Sequence, residues 1–233
     1  LYLDSIAAAQ HTIYFENQYL SSHRIGQALK KRLEDADGPE VVMVLPKETG
    51  GWLEQHTMDV LRWRILCDLR DSDRWGRLRT YYPRISKDPE CTLMVHAKVM
   101  VIDDNWVRVG SSNLSNRSMG LDSECDLAIA ADGRDDVRKA IVRFRNQLIA
   151  EHLDCDIEDV AAAIEKKAGS SITADTCPPG ISRDWKRAVG KPASCMIFSM
   201  AMLQPGTLEA CLSRTAFPAI RLGAAKRNTC QKG

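Results

Sequence analysis

The residues that could do chemistry concentrate in the middle of the chain. His96 and Lys98 stand two positions apart in an apolar run, and side chains two apart on a strand point to the same face. An imidazole exchanges protons near neutral pH, whereas an ammonium group carries a positive charge. A Gly-Ser-Ser-Asn stretch at 110–113 brings the hydroxyl of Ser111 and the amide of Asn113 nearby. Together these groups predict a pocket suited to a tetrahedral phosphate ester.

The residues around this pair predict a β-hairpin followed by one more strand. Apolar residues run through 95–102, and the Asp-Asp-Asn triplet at 103–105 is turn chemistry, since short Asx side chains bond nearby backbone and tolerate positive φ. Residues 106–109 return as the second strand. A further strand is expected over 124–130, with a carboxylate at its start.

The spacing His-x-Lys-x4-Asp-x6-Gly-Ser-x-Asn resembles the HKD motif of the phospholipase D superfamily. The segment YFENQYL at 14–20 is similar to the opening of a catalytic half in that family. The sequence at 110–131 resembles bacterial phospholipase D-like proteins. The resemblance covers residues 1–167. Its motif positions are filled by His96, Lys98, Asp103, Gly110, Ser111 and Asn113.

The resemblance implies phosphodiester cleavage or transfer without a metal. One histidine attacks phosphorus to give a phosphohistidine, and a second protonates the leaving alcohol before water or another alcohol releases the phosphate. Whether His96 is the nucleophile or the general acid stays open. Lys98 and Asn113 would bind the non-bridging oxygens. Glu124 would accept a hydrogen bond from His96, and Ser111 would support the site or hold Glu124.

The same resemblance gives other residues supporting roles. Asp103 is implied to be a structural ion-pair and turn residue that does not touch the phosphate, and Gly110 belongs with it to the structural part of the motif. The loop of Glu16, Asn17 and Gln18 would border the active site. Ordinary strand-end turn chemistry is the alternative interpretation of those three residues.

Family active sites are built between two halves, each with one histidine, one lysine and one asparagine. The sequence holds a single such motif, so the resemblance implies a partner, either a missing N-terminal half or a second copy in a homodimer. The YFENQYL segment is typical of the C-terminal half. A start at Leu1 rather than Met indicates a piece of a longer protein.

The expected substrate is a phospholipid, met peripherally at a membrane surface. The chain has 32 Lys and Arg against 31 Asp and Glu, so it has no global field that would draw nucleic acid. It also lacks a signal peptide and an apolar run long enough to span a membrane. We therefore expect a phospholipase D-like phosphodiesterase or phosphatidyltransferase, cytoplasmic or at the inner membrane face. An HKD-type nuclease and a catalytically incomplete, non-enzymatic half-domain remain alternatives.

Neither a cofactor nor a structural metal is expected. The eight cysteines form no Cys-x-x-Cys pair and no cluster at zinc spacing. Cys67, Cys91 and Cys125 stand among apolar neighbours and are expected to be buried. His152 is expected to be a surface or helix-capping residue.

The fold predicted from these elements is α/β, a mixed sheet flanked by helices on both faces. A helix capped by Ser21 or Ser22 joins two apolar strands, which calls for a parallel crossover. A long helix is expected from Trp52 to Leu69. The domain prediction is a catalytic half over 1–154, a short helix over 155–167 and a divergent tail over 168–233. For that tail, a disordered extension and a read-through from an altered frame are both open.

Overall fold

A mixed seven-stranded β-sheet carries the residues of interest. The computed structural model describes residues 1–49, 55–84, 93–168 and 197–199. The strand order is β6-β5-β4-β1-β2-β3-β7, with β1, β2 and β3 parallel to one another and the other neighbours antiparallel. The strands are β1 (Thr12–Asn17), β2 (Glu40–Val44), β3 (Leu78–Arg84), β4 (Lys98–Ile102), β5 (Trp106–Gly110), β6 (Asp126–Ala130) and β7 (Ile197–Ser199).

Helices lie on both faces of this sheet, as predicted for the fold class. Among the described residues no helix is both long and apolar enough to cross a membrane. The helices are α1 (Tyr2–Ala8), α2 (His23–Glu34), a π-helix (Gln55–Asp59), α3 (Val60–Ser72), α4 (Asn116–Gly120), α5 (Asp135–Leu153) and α6 (Ile157–Ala168).

The first face of the sheet is covered by α1, α2 and α3. Ile6, Leu29 and Leu69 come from these three helices and are fully buried in one core cluster with Phe15 and Met100 of the sheet. The spacing of apolar residues on α2 follows the helical period, so one stripe of the helix faces the sheet. The predicted crossover is confirmed, because α2 joins β1 to its parallel neighbour β2.

The second face of the sheet is covered by α5. Ile141 is buried there, with Phe144 and Leu148 packed against the same cluster. Val99 and Val101 of β4 belong to this cluster. Because Met100 lies in the first cluster, successive residues of β4 alternate between the two faces, as the pleat of a strand requires.

The structure departs from the predicted elements in several places. The helix expected from Trp52 begins, within the described residues, as a π-helix, and Trp52 itself lies outside them. Strand β6 begins at Asp126, two residues later than predicted. Cys125 is exposed, so its predicted burial is wrong, and Cys91 lies outside the described residues. In the predicted tail, β7 pairs with β3.

Candidate active site

The hairpin that carries the candidate site is closed by a tight turn. Asp103 and Asp104 have φ of 49° and 57°, and the N–H of Asn105 donates to the carbonyl of Ile102 over 3.0 Å. Two left-handed central residues define a turn of type I′, whose twist matches the strands that it joins. The positive φ predicted for this triplet is therefore confirmed.

Both turn carboxylates hold the hairpin in place on the sheet. Asp103 accepts hydrogen bonds from the backbone N–H groups of Gln10, His11 and Thr12, at 2.6, 2.7 and 2.7 Å. The resemblance implies that Asp103 forms an ion pair, but among the described residues its carboxylate accepts these three backbone hydrogen bonds instead. Asp104 forms the ion pair instead, with Arg145 of α5. The two carboxylates thus fix the turn to the start of β1 and to the helix on the second face.

Lys98 lies at the first residue of β4, opposite Asn17 of β1. The residue is only 9% exposed, and its Nζ donates to the carbonyl of His96 over 2.8 Å and to Oε1 of Gln18 over 3.2 Å. Burial lowers the pKa of Lys98, while the charge of Glu124 opposes that shift. Both acceptors are neutral, so an anion is the natural third partner for this ammonium group.

His96 precedes β4 and is exposed. Its carbonyl holds Lys98, which ties the backbone at 96 to the lysine that follows two residues later. Within the described part of the chain, no hydrogen bond joins the His96 ring to Glu124. The residue is open to solvent, and the partnership of its ring with Glu124 stays a prediction.

Ser111 connects the end of β5 to the segment that leads into β6. Its Oγ donates to Oε2 of Glu124 over 2.5 Å and accepts from the N–H of Cys125 over 2.9 Å. Its own N–H donates to the carbonyl of Cys125 over 3.0 Å. These three bonds fix the position of the Glu124 carboxylate, which is the geometry expected of a serine that holds that residue.

Gly110 is required by the close approach of β5 and β6. A Cβ on this residue would lie 2.0 Å from Oδ1 of Asp126 and 2.6 Å from the carbonyl oxygen of Cys125. No real Cβ tolerates such distances, and the second contact is to backbone. The residue therefore allows the loop that follows it to lie directly against the start of β6.

Asn113 lies in that loop with an amide oxygen that is buried. In the parts of the chain that the structure covers, this Oδ1 has no hydrogen-bond partner. The backbone N–H of Asn113 donates to Oγ of Ser118 over 3.1 Å, which ties the loop to α4. Buried polar atoms are usually satisfied, so this oxygen can accept from a water or a ligand donor, whereas a phosphoryl oxygen would be bound by the Nδ2 group of the same amide.

The three loop residues of the YFENQYL segment, Glu16, Asn17 and Gln18, lie in two different environments. Gln18 contacts Lys98, as described above. Asn17 is buried, and its Oδ1 accepts from the N–H of Leu114 over 3.1 Å, next to the candidate loop. Glu16 instead accepts from the hydroxyl of Tyr14 over 2.6 Å and lies 2.9 Å from Nε2 of His152. His152 is thus a part-buried partner of Glu16 in the last turn of α5, so the surface alternative of its prediction is wrong and the helix-capping alternative stays a prediction.

Sequence reasoning missed a buried polar network behind the loop at 110–113. Arg108 of β5 is fully buried beside Asp126 of β6, and Ser112 and Tyr2 complete the network. The sequence pattern predicts the opposite, because an arginine between Val107 and Val109 on a half-buried strand is expected to face solvent. Its partner was hidden, since the register of β5 against β6 cannot be read from spacing.

The arrangement therefore places an exposed imidazole, a buried ammonium group, an unsatisfied amide and a fixed carboxylate along one end of the β4–β5 hairpin. Such groups can bind a phosphoryl oxygen and exchange protons with it. Among the described residues, no group of three or more His, Cys, Asp or Glu side chains is arranged to hold a metal ion.

Comparison with known proteins identifies the class. The family model described as "cardiolipin synthase, PLD-like domain" matches residues 2–148, more than half of the chain. The chain therefore belongs to this phospholipase D-like family.

Curated proteins similar to this chain include phospholipases D. A phospholipase D of Phytophthora infestans is 26% identical over 215 residues, covering 70% of this chain and 12% of the relative. A phospholipase D alpha 1 of Spuriopimpinella brachycarpa is 34% identical over 80 residues, covering 32% of this chain and 10% of the relative. The chain thus spans about a tenth of the length of these curated relatives.

Two solved structures are similar to this chain in fold. Nuc from Salmonella typhimurium, a phospholipase D family member, has a TM-score of 0.41 at 21% identity, covering 60% of this chain and 82% of that one. The phosphatidylserine synthase of Haemophilus influenzae Rd KW20 has a TM-score of 0.48 at 20% identity, covering 71% of this chain and 41% of that one.

Proposed function

We propose that this chain is one catalytic half of a phospholipase D-type enzyme that hydrolyses or transfers the phosphodiester of phospholipids. The observation that carries the proposal is the buried Lys98 ammonium group, held by two neutral oxygens and placed two residues after an exposed histidine, His96. Among the described residues no carboxylate is in hydrogen-bond contact with this ammonium group, and a desolvated cation stabilises a phosphate more strongly than one in water does.

The proposed chemistry proceeds in two steps through a phosphohistidine. A histidine nitrogen attacks phosphorus and forms an N–P bond while the bond to the leaving alkoxide breaks, and a second histidine supplies the proton to that alkoxide. Water or a primary alcohol then attacks phosphorus, gives up its proton and restores the free histidine. Lys98 and Asn113 would bind the non-bridging oxygens throughout, and His96 would act in one of the two histidine roles.

A second half is required because the two histidines must lie on opposite sides of phosphorus. This chain supplies one motif histidine, His96, so the partner is a second copy of the chain or another phospholipase D-like half. We further propose that the assembled enzyme meets its substrate peripherally at a membrane surface. The names of the relatives and the near-zero net charge support a phospholipid over a nucleic acid.

Substitutions in the candidate site test this proposal in the assembled enzyme. His96→Asn should lower turnover at least about 100-fold, since it removes a proton-transfer or nucleophilic group with little change in volume. Lys98→Ala and Asn113→Ala should each cost about 2–4 kcal/mol in transition-state stabilisation. Products from mixed phospholipids are measured by phosphorus-31 NMR, in EDTA and with or without a primary alcohol.

The matched control is His23→Asn, the same substitution at an exposed histidine that begins α2. It should leave turnover unchanged. Phosphatidyl-alcohol formed only when alcohol is present would demonstrate transfer. Cleavage of DNA but not of phospholipid would instead assign the site to a nuclease, and no turnover by any assembled form would identify a non-enzymatic half.

A further inference from the structure

Arg108 occupies an unusual place for a charged residue, since it is 0% exposed in the middle of β5. Its guanidinium group forms an ion pair with Asp126, the first residue of β6, and lies 4.2 Å from the ring centroid of Tyr2 in α1. Desolvating a guanidinium group is costly, and an apolar pair of similar volume often stabilises a core as well or better. Stability alone is therefore a poor explanation for this pair.

The contacts of Arg108 reach both sides of the candidate site. One terminal nitrogen donates to the carbonyl of Lys98 and the other to the carbonyl of Ser112, each over 3.4 Å. Ser112 lies between Ser111 and Asn113, so one planar group connects the strand that carries the lysine to the loop that carries the hydroxyl and the amide. A guanidinium group has this reach because its donors form a rigid fork.

Asp126 holds the same loop from the opposite strand. Its Oδ1 accepts from the N–H of Ser112 over 3.2 Å, and its Oδ2 accepts from the hydroxyl of Ser112. Burial pushes the pKa of Asp126 upward, but the bonds from Ser112 and Arg108 outweigh burial and leave the pKa below its ordinary value. Asp126 follows Glu124 by two residues, so the carboxylate at the site is part of the same rigid unit.

We propose that Arg108 and Asp126 form a positioning pair that sets the spacing between Lys98 and the 111–113 loop. The pair does not touch substrate; it fixes the two backbones from which the phosphate-binding groups project. This inference rests on the proposed function for its catalytic consequence. Its geometric content, a fixed separation between the Lys98 backbone and the 111–113 loop, is measurable without turnover.

The test replaces the pair by uncharged residues of similar size, Arg108→Met with Asp126→Leu. Substituting both partners avoids an unpaired buried charge and gives the protein a means to fold. The first readout is the pH dependence of Lys98 acylation by acetic anhydride, followed by peptide mass spectrometry. Once the loop is no longer fixed, water should reach the ammonium group, and the apparent pKa of Lys98 should rise toward that of an exposed lysine.

The second readout is the kinetics of whichever assembled form is active. The kcat of the double variant should fall about 100-fold, the scale of a small misplacement of reacting groups. KM should change far less, because the pair makes no contact with substrate. Arg108→Lys should not rescue kcat, since a point charge cannot reach both carbonyls.

The matched control is Arg145→Met with Asp104→Asn, which removes another buried ion pair at the far end of the same hairpin. It should leave the titration of Lys98 unchanged. A folded Arg108→Met/Asp126→Leu variant with wild-type Lys98 titration would overturn the inference, whether or not the protein is an enzyme. If that variant does not fold, Arg108→Gln with Asp126→Asn carries the same comparison, since it also removes both charges, and failure of both to fold would assign the pair to stability alone.

Discussion

At the scale of single residues, the most informative group is the Lys98 ammonium. Its two acceptors, the carbonyl of His96 and the amide oxygen of Gln18, are neutral, and burial lowers its pKa. The charge of Glu124, a carboxylate that Ser111 fixes, opposes that shift. Burial removes part of the favourable hydration of this cation, and a bound anion would replace that lost electrostatic stabilisation.

The pH dependence follows from this lowered pKa. Lys98 should lose its proton below its ordinary pKa of 10.5, so kcat/KM should fall with rising pH before an ordinary lysine titrates. Glu124→Gln should move this alkaline limb to still lower pH, because the Glu124 charge raises the pKa. The measurement is a pH profile of kcat/KM for both proteins.

A stability profile separates this effect from unfolding. Between the lowered pKa and 10.5 the unfolded chain binds more protons at Lys98 than the folded chain does. The Lys98 contribution to the free energy of unfolding therefore increases with pH through this window, while activity decreases. An alkaline limb at or above the pKa of an ordinary lysine would contradict the account.

Much of the candidate site could be predicted from residue types and spacing. The motif indicated a strand, a turn and a return strand, and the positive φ at Asp103 followed from its side chain. The network of Arg108 with Asp126 could not be predicted in the same way, because it depends on the pairing of two strands and on a helix from the N-terminus. The predicted burial of Cys125 was wrong because its immediate neighbours, Glu124 and Asp126, are charged and it lies just before the edge strand β6.

At the scale of elements, the site depends on how closely β5 approaches β6. Gly110 pairs with Asp126 across these strands, and the backbone at Cys125 leaves no room for a side chain. The loop that follows Gly110 is hydrogen-bonded through Ser111 to the same backbone. One glycine thus sets the separation of the two elements that carry the hydroxyl and the carboxylate.

Gly110→Ala should destabilise the fold by about 2 kcal/mol or more, because the added methyl group forces two backbones apart. Urea unfolding gives the change in the free energy of unfolding. The control is Gly120→Ala at the end of α4, where an added Cβ meets nothing within 4 Å. Equal stability of the two variants would show that β5 and β6 are not held as closely as described.

Strand β6 also leaves an apolar surface beside the site. Val109 of β5 lies directly opposite Leu127, and Ile129 continues the same face of the strand. Leu127 is 72% exposed and Ile129 is 55% exposed. We propose that this β6 surface (Val109, Leu127 and Ile129) contacts the second catalytic half, because it adjoins the incomplete site.

Leu127→Ser with Ile129→Ser should therefore weaken assembly more than it weakens the fold. The free energy of unfolding of the single half should change by no more than about 0.5 kcal/mol, as for other exposed positions. The dissociation constant of the active assembly should rise at least about tenfold, the effect of losing anchor residues at an interface. Sedimentation analysis gives that constant, and Trp75→Ser, at an exposed residue between α3 and β3, is the control. Weaker assembly in the control alone would place the interface elsewhere.

At the scale of the whole molecule, the chain matches the phospholipase D-like family over residues 2–148 and its sequence holds a single His-x-Lys motif. We propose that the catalytic half comprises residues 1–154, with the α6 helix following it. The family match ends at residue 148, inside α5. Because the sequence holds a single motif, we propose that a partner completes the site, and an isologous dimer or a second phospholipase D-like half would each supply the other histidine.

The most direct test of this account is to measure mass and phosphodiesterase activity together, fraction by fraction. Light scattering on a sizing column gives the mass of each species, and each fraction is assayed with a phospholipid substrate. The account predicts activity only in species that contain two motif histidines, either two copies of this chain or this chain with another half. A strictly monomeric species with full activity that depends on His96 would contradict the two-half mechanism.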